Sequence, residues 1–322
     1  MNWDFEAYVS AALFEESGEA VFALGDGQVR WEGGAAVQAH EGPILCAIRH
    51  PSVDGTLSGG DDGRLIWSRP AGAEVLAEVK GRWIERLAAA PDAGLIAFAA
   101  GREARVLDLA DPAFERVFTH ERSVADVAFD PRGRRLATAT YGGAALWYAR
   151  IAEQKPVMLR WAGSHILVAF SPDGRFLMSS MQENALHGWR ISDAKDLRMG
   201  GYPAKVRSLA FLDGGAMMAT AGAGGVVVWP FAGADGPMGK QAMELGFEDG
   251  SLVTRVAAEA DGKAIAAGCS DGRVWVCGVA SGRREDVREG AGAPITALAI
   301  GGGRIAWGDE EGRAGVAPAP AV

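Results

Sequence analysis

Five histidines (40, 50, 120, 165 and 187), three cysteines and two lysine-containing motifs are what this chain of 322 residues offers to chemistry. The stretch GADGPMGKQA, 233–242, approaches a phosphate-binding loop, in which backbone amides cradle phosphates and a hydroxyl residue after the lysine holds Mg²⁺. Ala234 stands where the first glycine is needed and Gln241 replaces the hydroxyl residue, so a long connecting loop is expected there. SDAK, 192–195, has the spacing of a Ser-Lys nucleophile pair but neither the helical setting nor the companion motifs of that chemistry. The sequence has no HExxH pair. Cys46, Cys269 and Cys277 are an odd set without CxxC spacing, which points to reduced thiols rather than a disulfide or zinc site. The aspartates recur beside glycines, where a carboxylate serves turn geometry. The expectation is a chain with no catalytic residue, no metal ligand and no cofactor, hence not an enzyme.

The elements that carry these residues repeat. ALGDGQVRW ends at Trp31, LSGGDDGRLIW at Trp67, ATATYGGAALW at Trp147 and ATAGAGGVVVW at Trp229. Aligning on the closing apolar residue gives Trp31, Trp67, Leu107, Trp147, Trp189, Trp229, Val276 and Val316, at intervals of 36, 40, 40, 42, 40, 47 and 40 residues. Such a period marks a repeat architecture. The longest interval contains 233–242, which accounts for that loop.

Within a copy, an apolar run such as VADVAF (124–129) or VRSLAF (206–211) leads into a turn such as DPRG or SPDG. A second run, a Gly/Asp turn and a third run follow, and a more polar fourth segment such as AEVLAEVK (73–80) completes the copy. Short runs separated by turn residues read as a four-stranded antiparallel meander. RWIERLAAAPDAG, 82–94, has some helical character but falls in register with the other first strands and is read as strand. One such sheet cannot bury both of its faces, whereas copies packed around an axis can, with the closing Trp as a wedge.

Bulk properties agree with a soluble globular chain: 48% hydrophobic, 23% charged and 45 glycines in regularly spaced clusters. A net charge of −9 argues against bulk attraction to nucleic acid or anionic membrane. The acidic N-terminus lacks the apolar core of a signal peptide, and no apolar run is long enough to span a bilayer, so a cytoplasmic location is expected. The Ala, Gly and Arg bias resembles that of a GC-rich bacterial genome.

The copies resemble WD40 repeats. In that family a His before the first strand, a Ser or Thr in the second, an Asp in the next turn and a Trp closing the third form a hydrogen-bonded structural network. The second copy supplies His40, Ser58, Asp62 and Trp67; the fourth supplies His120, Thr138 and Trp147, with Gly142 in place of the Asp. The fifth keeps Ser179, Glu183 and Trp189, and no copy has the Trp-Asp dipeptide. The resemblance implies one all-β domain over 1–322, a β-propeller of four-stranded antiparallel blades. Eight blades are expected, at 8–42, 43–81, 82–121, 122–163, 164–203, 204–250, 251–292 and 293–322 plus 1–7, or seven if one degenerate copy is not a true blade. NWDFEA, 2–7, would close the ring as an outer strand.

The resemblance also implies a partner-binding rim. Loops entering the first strands would supply Trp83, Arg86, Arg122, His165, Lys205, Arg207 and Arg255; second-to-third turns would supply Asp61, Tyr141, Gln182 and Ser270. Basic residues beside Trp83 and Tyr141 suit an acidic peptide with an aromatic or apolar anchor. The expected function is a non-catalytic, monomeric scaffold or adaptor that binds a protein or acidic peptide, with no membrane or nucleic-acid partner. Two other classes stay open: a propeller hydrolase or lactonase with a channel metal, and an accessory subunit of an RNA-modifying enzyme.

Overall fold

The computed structural model describes the whole chain except Ala260 and Ala291. Its described strands form only antiparallel pairs, and a typical sheet runs outward in chain order. In the third copy Ile84–Ala90 is innermost, followed by Leu95–Ala100, Glu103–Asp108 and the outermost Asp111–Thr119. The segment with helical character is thus a strand, and only Pro91–Ala93 after it forms a single 3₁₀ turn.

Burial follows radial position. Second strands such as Ala20–Leu24, Leu95–Ala100 and Ala264–Cys269 are buried at every residue. They therefore read as continuous apolar runs, because both faces meet a neighbouring sheet. Outer strands such as Gly72–Glu78 are mostly exposed and carry the polar sequence. Among the closing tryptophans, Trp31, Trp147 and Trp189 are buried, each stabilising by roughly 2–3 kcal/mol. Trp67 and Trp229 are half-buried.

Eight separate four-stranded blades are not what forms. The hydrogen-bonded ladders define seven sheets, six of four strands and one of six. Copies four and five share the six-stranded sheet because the 14-residue strand Val157–Phe170 pairs with Arg135–Tyr148 through its first half and with Phe176–Met181 through its second. Arg135–Tyr148 doubles back tightly at Gly142 and Gly143, and Ala149 N–H donates to Arg134 O at 2.9 Å where its ends meet. A Cβ on Gly143 would lie 2.0 Å from Leu159 O, so only glycine allows the ladder to pass.

Innermost strands pack on one another around the ring, and Ile295–Gly301 returns to Val9–Phe14. The N-terminal strand Asn2–Asp4 closes the ring by pairing with Arg313–Pro318, Asn2 opposite Gly315 and Asp4 opposite Arg313. Trp3 and Phe5 lie 5.5 and 5.6 Å from the ring of the fully buried Phe22 in the next sheet. The terminal ammonium donates to Val316 O at 2.7 Å.

Removing residues 1–5 should lower the urea midpoint and bare the backbone of Arg313–Pro318, an edge that promotes association. Urea titration and light scattering test this. A truncated chain with the original midpoint and a monodisperse profile would show that the ring does not rely on this strand.

Candidate functional site

The fourth copy links its three polar residues in one chain of hydrogen bonds. Trp147 Nε1 donates to His120 Nε2 at 3.1 Å, and the same nitrogen lies 2.9 Å from Thr138 Oγ1. Indole N–H only donates, so His120 Nε2 is unprotonated and Nδ1 carries the proton towards Arg102 O at 3.3 Å. The second copy is divided. His40 Nε2 meets Ser58 Oγ at 2.9 Å and Nδ1 meets Asp62 Oδ1 at 3.0 Å, but Trp67 takes no part. Its buried Nε1 has no partner, and the ring packs 4.9 Å from His50 with the Arg69 guanidinium 3.8 Å above it. Sequence reading placed Trp67 in the network because it saw the residue types but not the rotamer.

A third network went unread. Tyr202 Oη contacts Thr220 Oγ1 at 2.6 Å and accepts from Trp229 Nε1 at 2.6 Å. The separations, 18 residues to the hydroxyl and 27 to the tryptophan, match those of His120. That spacing was the available signal, and it was missed because the tyrosine replaces a histidine.

The turn aspartates serve their turns. Asp62, Asp173, Asp271 and Asp309 each accept the N–H two residues ahead, at 3.0, 3.0, 3.2 and 3.0 Å. Asp173, Asp271 and Asp309 also pair with a nearby arginine of the same turn. In the 233–242 loop, the Lys240 ammonium bonds the Ala232 carbonyl.

The innermost strands carry a recurrent irregularity. Register shifts fall between Val9 and Ala11, Ile44 and Cys46, Ile84 and Arg86, His165 and Leu167, Val253 and Arg255, and Ile295 and Ala297. A bulge at this position re-aims the side chains that follow it. Arg86 and Arg255, each just past such a bulge, meet Arg207, Tyr8, Ser10, Cys46 and Asp126 around one cavity of about 680 Å³. Arg86 Nε lies 3.6 Å from Asp126 Oδ1, and Asp126 Oδ2 accepts Val168 N–H at 2.8 Å. Burial pushes the Asp126 carboxyl up to about 6 despite Arg86, and pushes the Cys46 thiol up to about 12, too high for a thiolate nucleophile at neutral pH.

The other rim candidates divide. Trp83 and Tyr141 are 59% and 66% exposed, and Arg122 and Gln182 are also on the surface. Arg122 and Tyr141 line a cavity of about 370 Å³ with Met158 and Arg160. His165 is not a surface residue: it is buried, with Nδ1 2.7 Å from Ser179 Oγ and Nε2 3.1 Å from Trp161 O. Ser270 accepts Leu252 N–H at 3.0 Å, and Asp61 is half-buried against Gly42. Lys205 is half-buried beside Arg207 and Arg255 in an adjoining cavity. Among the described residues, no three His, Cys, Asp or Glu side chains gather closely enough to hold a metal ion.

The architecture has counterparts among solved structures. The computationally designed Ika8 protein superposes with a TM-score of 0.79 at 17% identity, covering 98% of this chain and 97% of its own. The β-propeller domain of Cps50 (Swd1) from Myceliophteria thermophila superposes with a TM-score of 0.69 at 14% identity, covering 86% of this chain and 97% of its own. The fold is a β-propeller. No protein-family model and no curated protein matches the chain.

Two outcomes follow for the propeller. Tyr202→Phe strips Trp229 Nε1 of its acceptor and leaves Thr220 Oγ1 only its bond to Val227 O, and should cost about 1–3 kcal/mol by urea unfolding; an unchanged midpoint would remove Tyr202 from the network. Burial also lowers the pKa values of His50, His120, His165 and His187, the last to about 4. The unfolded chain then takes up protons first, so these groups reduce stability as pH falls below 6.5 towards the folded values. Asp126 acts in the opposite sense: its raised pKa disfavours folding at neutral pH, and that cost fades as pH falls through about 6. Asp126→Asn should therefore steepen the acid loss of stability between about pH 7 and 5; thermal melts with parallel pH profiles would contradict this.

Proposed function

We propose that this propeller is a non-catalytic scaffold or adaptor, located in the cytoplasm, that presents one rim to a protein or acidic-peptide partner. The observation that carries this reading is the exposure of Trp83 and Tyr141, at 59% and 66%, on the end of the sheets where first strands begin and second strands turn into third. Large aromatics are costly to leave in water and are enriched in interface hot spots. Tyr141 shares its cavity with Arg122 and Arg160, so an apolar anchor there would lie beside two guanidiniums able to meet carboxylates. The free thiols of Cys46, Cys269 and Cys277 fit a reducing compartment. Because propellers serve many unrelated functions, the reading rests on these surface residues rather than on the fold.

The test is affinity capture from the native host with wild type and the Trp83→Ala/Tyr141→Ala double variant. Both positions are exposed, so stability should stay within about 0.5 kcal/mol of wild type. A partner anchored by these rings should bind the variant with a loss of about 2 kcal/mol or more per hot spot, roughly thirty-fold in Kd. Equal recovery of the same partners would refute the rim assignment. Stoichiometric Ca²⁺ or Zn²⁺ in the purified protein would favour a hydrolase instead.

A further inference from the structure

We infer that the channel mouth lined by Arg86, Arg207 and Arg255 binds a small phosphate-class polyanion, such as pyrophosphate or an organic di- or triphosphate. Arg86 and Arg255 stand on the innermost strands of two sheets and Arg207 on the segment entering a third, and all three meet at the cavity of about 680 Å³. Arg207 and Arg255, with Tyr8, also line the adjoining cavity of about 530 Å³.

The charge balance carries the argument. Around the larger cavity three guanidiniums face one carboxylate, Asp126, whose contact is with Arg86. The adjoining cavity adds Lys205 and Glu310, which cancel. A surplus of two positive charges thus collects at one mouth of a chain whose net charge is −9. A di- or triphosphate, with several negative charges, can meet both surplus charges at once, whereas a single carboxylate leaves one unmet. Burial, together with repulsion from Arg207 and Arg86, lowers the Arg255 pKa, and a bound anion would relieve that repulsion.

The geometry suits phosphate. Arg255 donates from Nε to Thr296 O at 2.7 Å and from Nη1 to Thr254 O at 3.0 Å, which anchors the guanidinium before any ligand arrives. Arg86 is steadied through Nη1 on Glu85 O at 2.7 Å. Arg207 is exposed and has no ion-pair partner among the described residues, so it is free to close on a ligand. Guanidinium forks match phosphate oxygens bidentately. The cavity exceeds a lone phosphate and lies within the small-molecule range of about 300–1,000 Å³, with Leu45, Leu167 and Tyr8 as walls for an organic body. Long nucleic acid is disfavoured by the overall negative charge.

This site needs neither Trp83 nor Tyr141, and it stands or falls apart from the rim partner. The experiment is titration calorimetry and thermal melting of the purified chain with sodium pyrophosphate, against sodium chloride at matched ionic strength. Saturable binding and a raised melting temperature are expected. Arg207→Glu should weaken binding about ten- to hundred-fold, the loss of one charge-assisted contact, while Arg49→Glu, on an exposed arginine at the far end of an innermost strand, should change nothing. No saturable heat beyond chloride, or equal binding by Arg207→Glu, overturns the site. A hexaglutamate peptide that binds as tightly as pyrophosphate and is lost with Arg207→Glu would give these arginines to the rim partner and overturn the small-ligand reading.

Discussion

Burial of both faces of every sheet is the constraint on which the ring depends. Second strands such as Leu95–Ala100 expose neither face, so a sheet removed from its neighbours would present two apolar surfaces to water. No sheet is stable in isolation, and the last must meet the first. The N-terminal strand makes that meeting covalent at one remove: Asn2–Asp4 completes the final sheet while the chain continues into the first. Trp3 and Phe5 cover Phe22 across the seam, so the closing strand contributes packing as well as hydrogen bonds.

The polar networks show how loosely residue identity can be held when geometry is kept. What each network requires is an acceptor for the indole N–H and a group that meets the second-strand hydroxyl. His120 provides both through Nε2, and Tyr202 provides both through Oη, at the same sequence separations. In the second copy His40 turns its second nitrogen to Asp62, and Trp67 packs elsewhere against His50 and Arg69. The recurring carboxylates likewise serve turns, each holding the N–H two residues on. The chemistry-bearing side chains of these networks and turns are engaged by folding in this way.

The channel mouth is the exception. Cys46, Arg86, Leu167 and Arg255 stand just beyond bulges that recur in the innermost strands, where a side chain is re-aimed. At corresponding positions Cys46, Arg86, Asp126, Leu167 and Arg255 differ in charge and size. A regular scaffold with an irregular lining is a common way for a repeat protein to hold a specific site.

The roughly forty-residue period, the four strands per copy, the turn chemistry and the N-terminal closing strand were all determined by sequence alone, because each depends on local alternation and turn residues. So were the residues of the His120 network. Only tertiary structure decided that copies four and five share one sheet, since that depends on Val157–Phe170 pairing with one copy through its first half and with the next through its second. It alone decided that His165 is buried while Trp83 is exposed, and that Trp67 leaves its network, because burial and rotamer are set by neighbours distant in sequence. The convergence of Arg86, Arg207 and Arg255 was equally hidden: residues from separate copies meet only when the ring shuts.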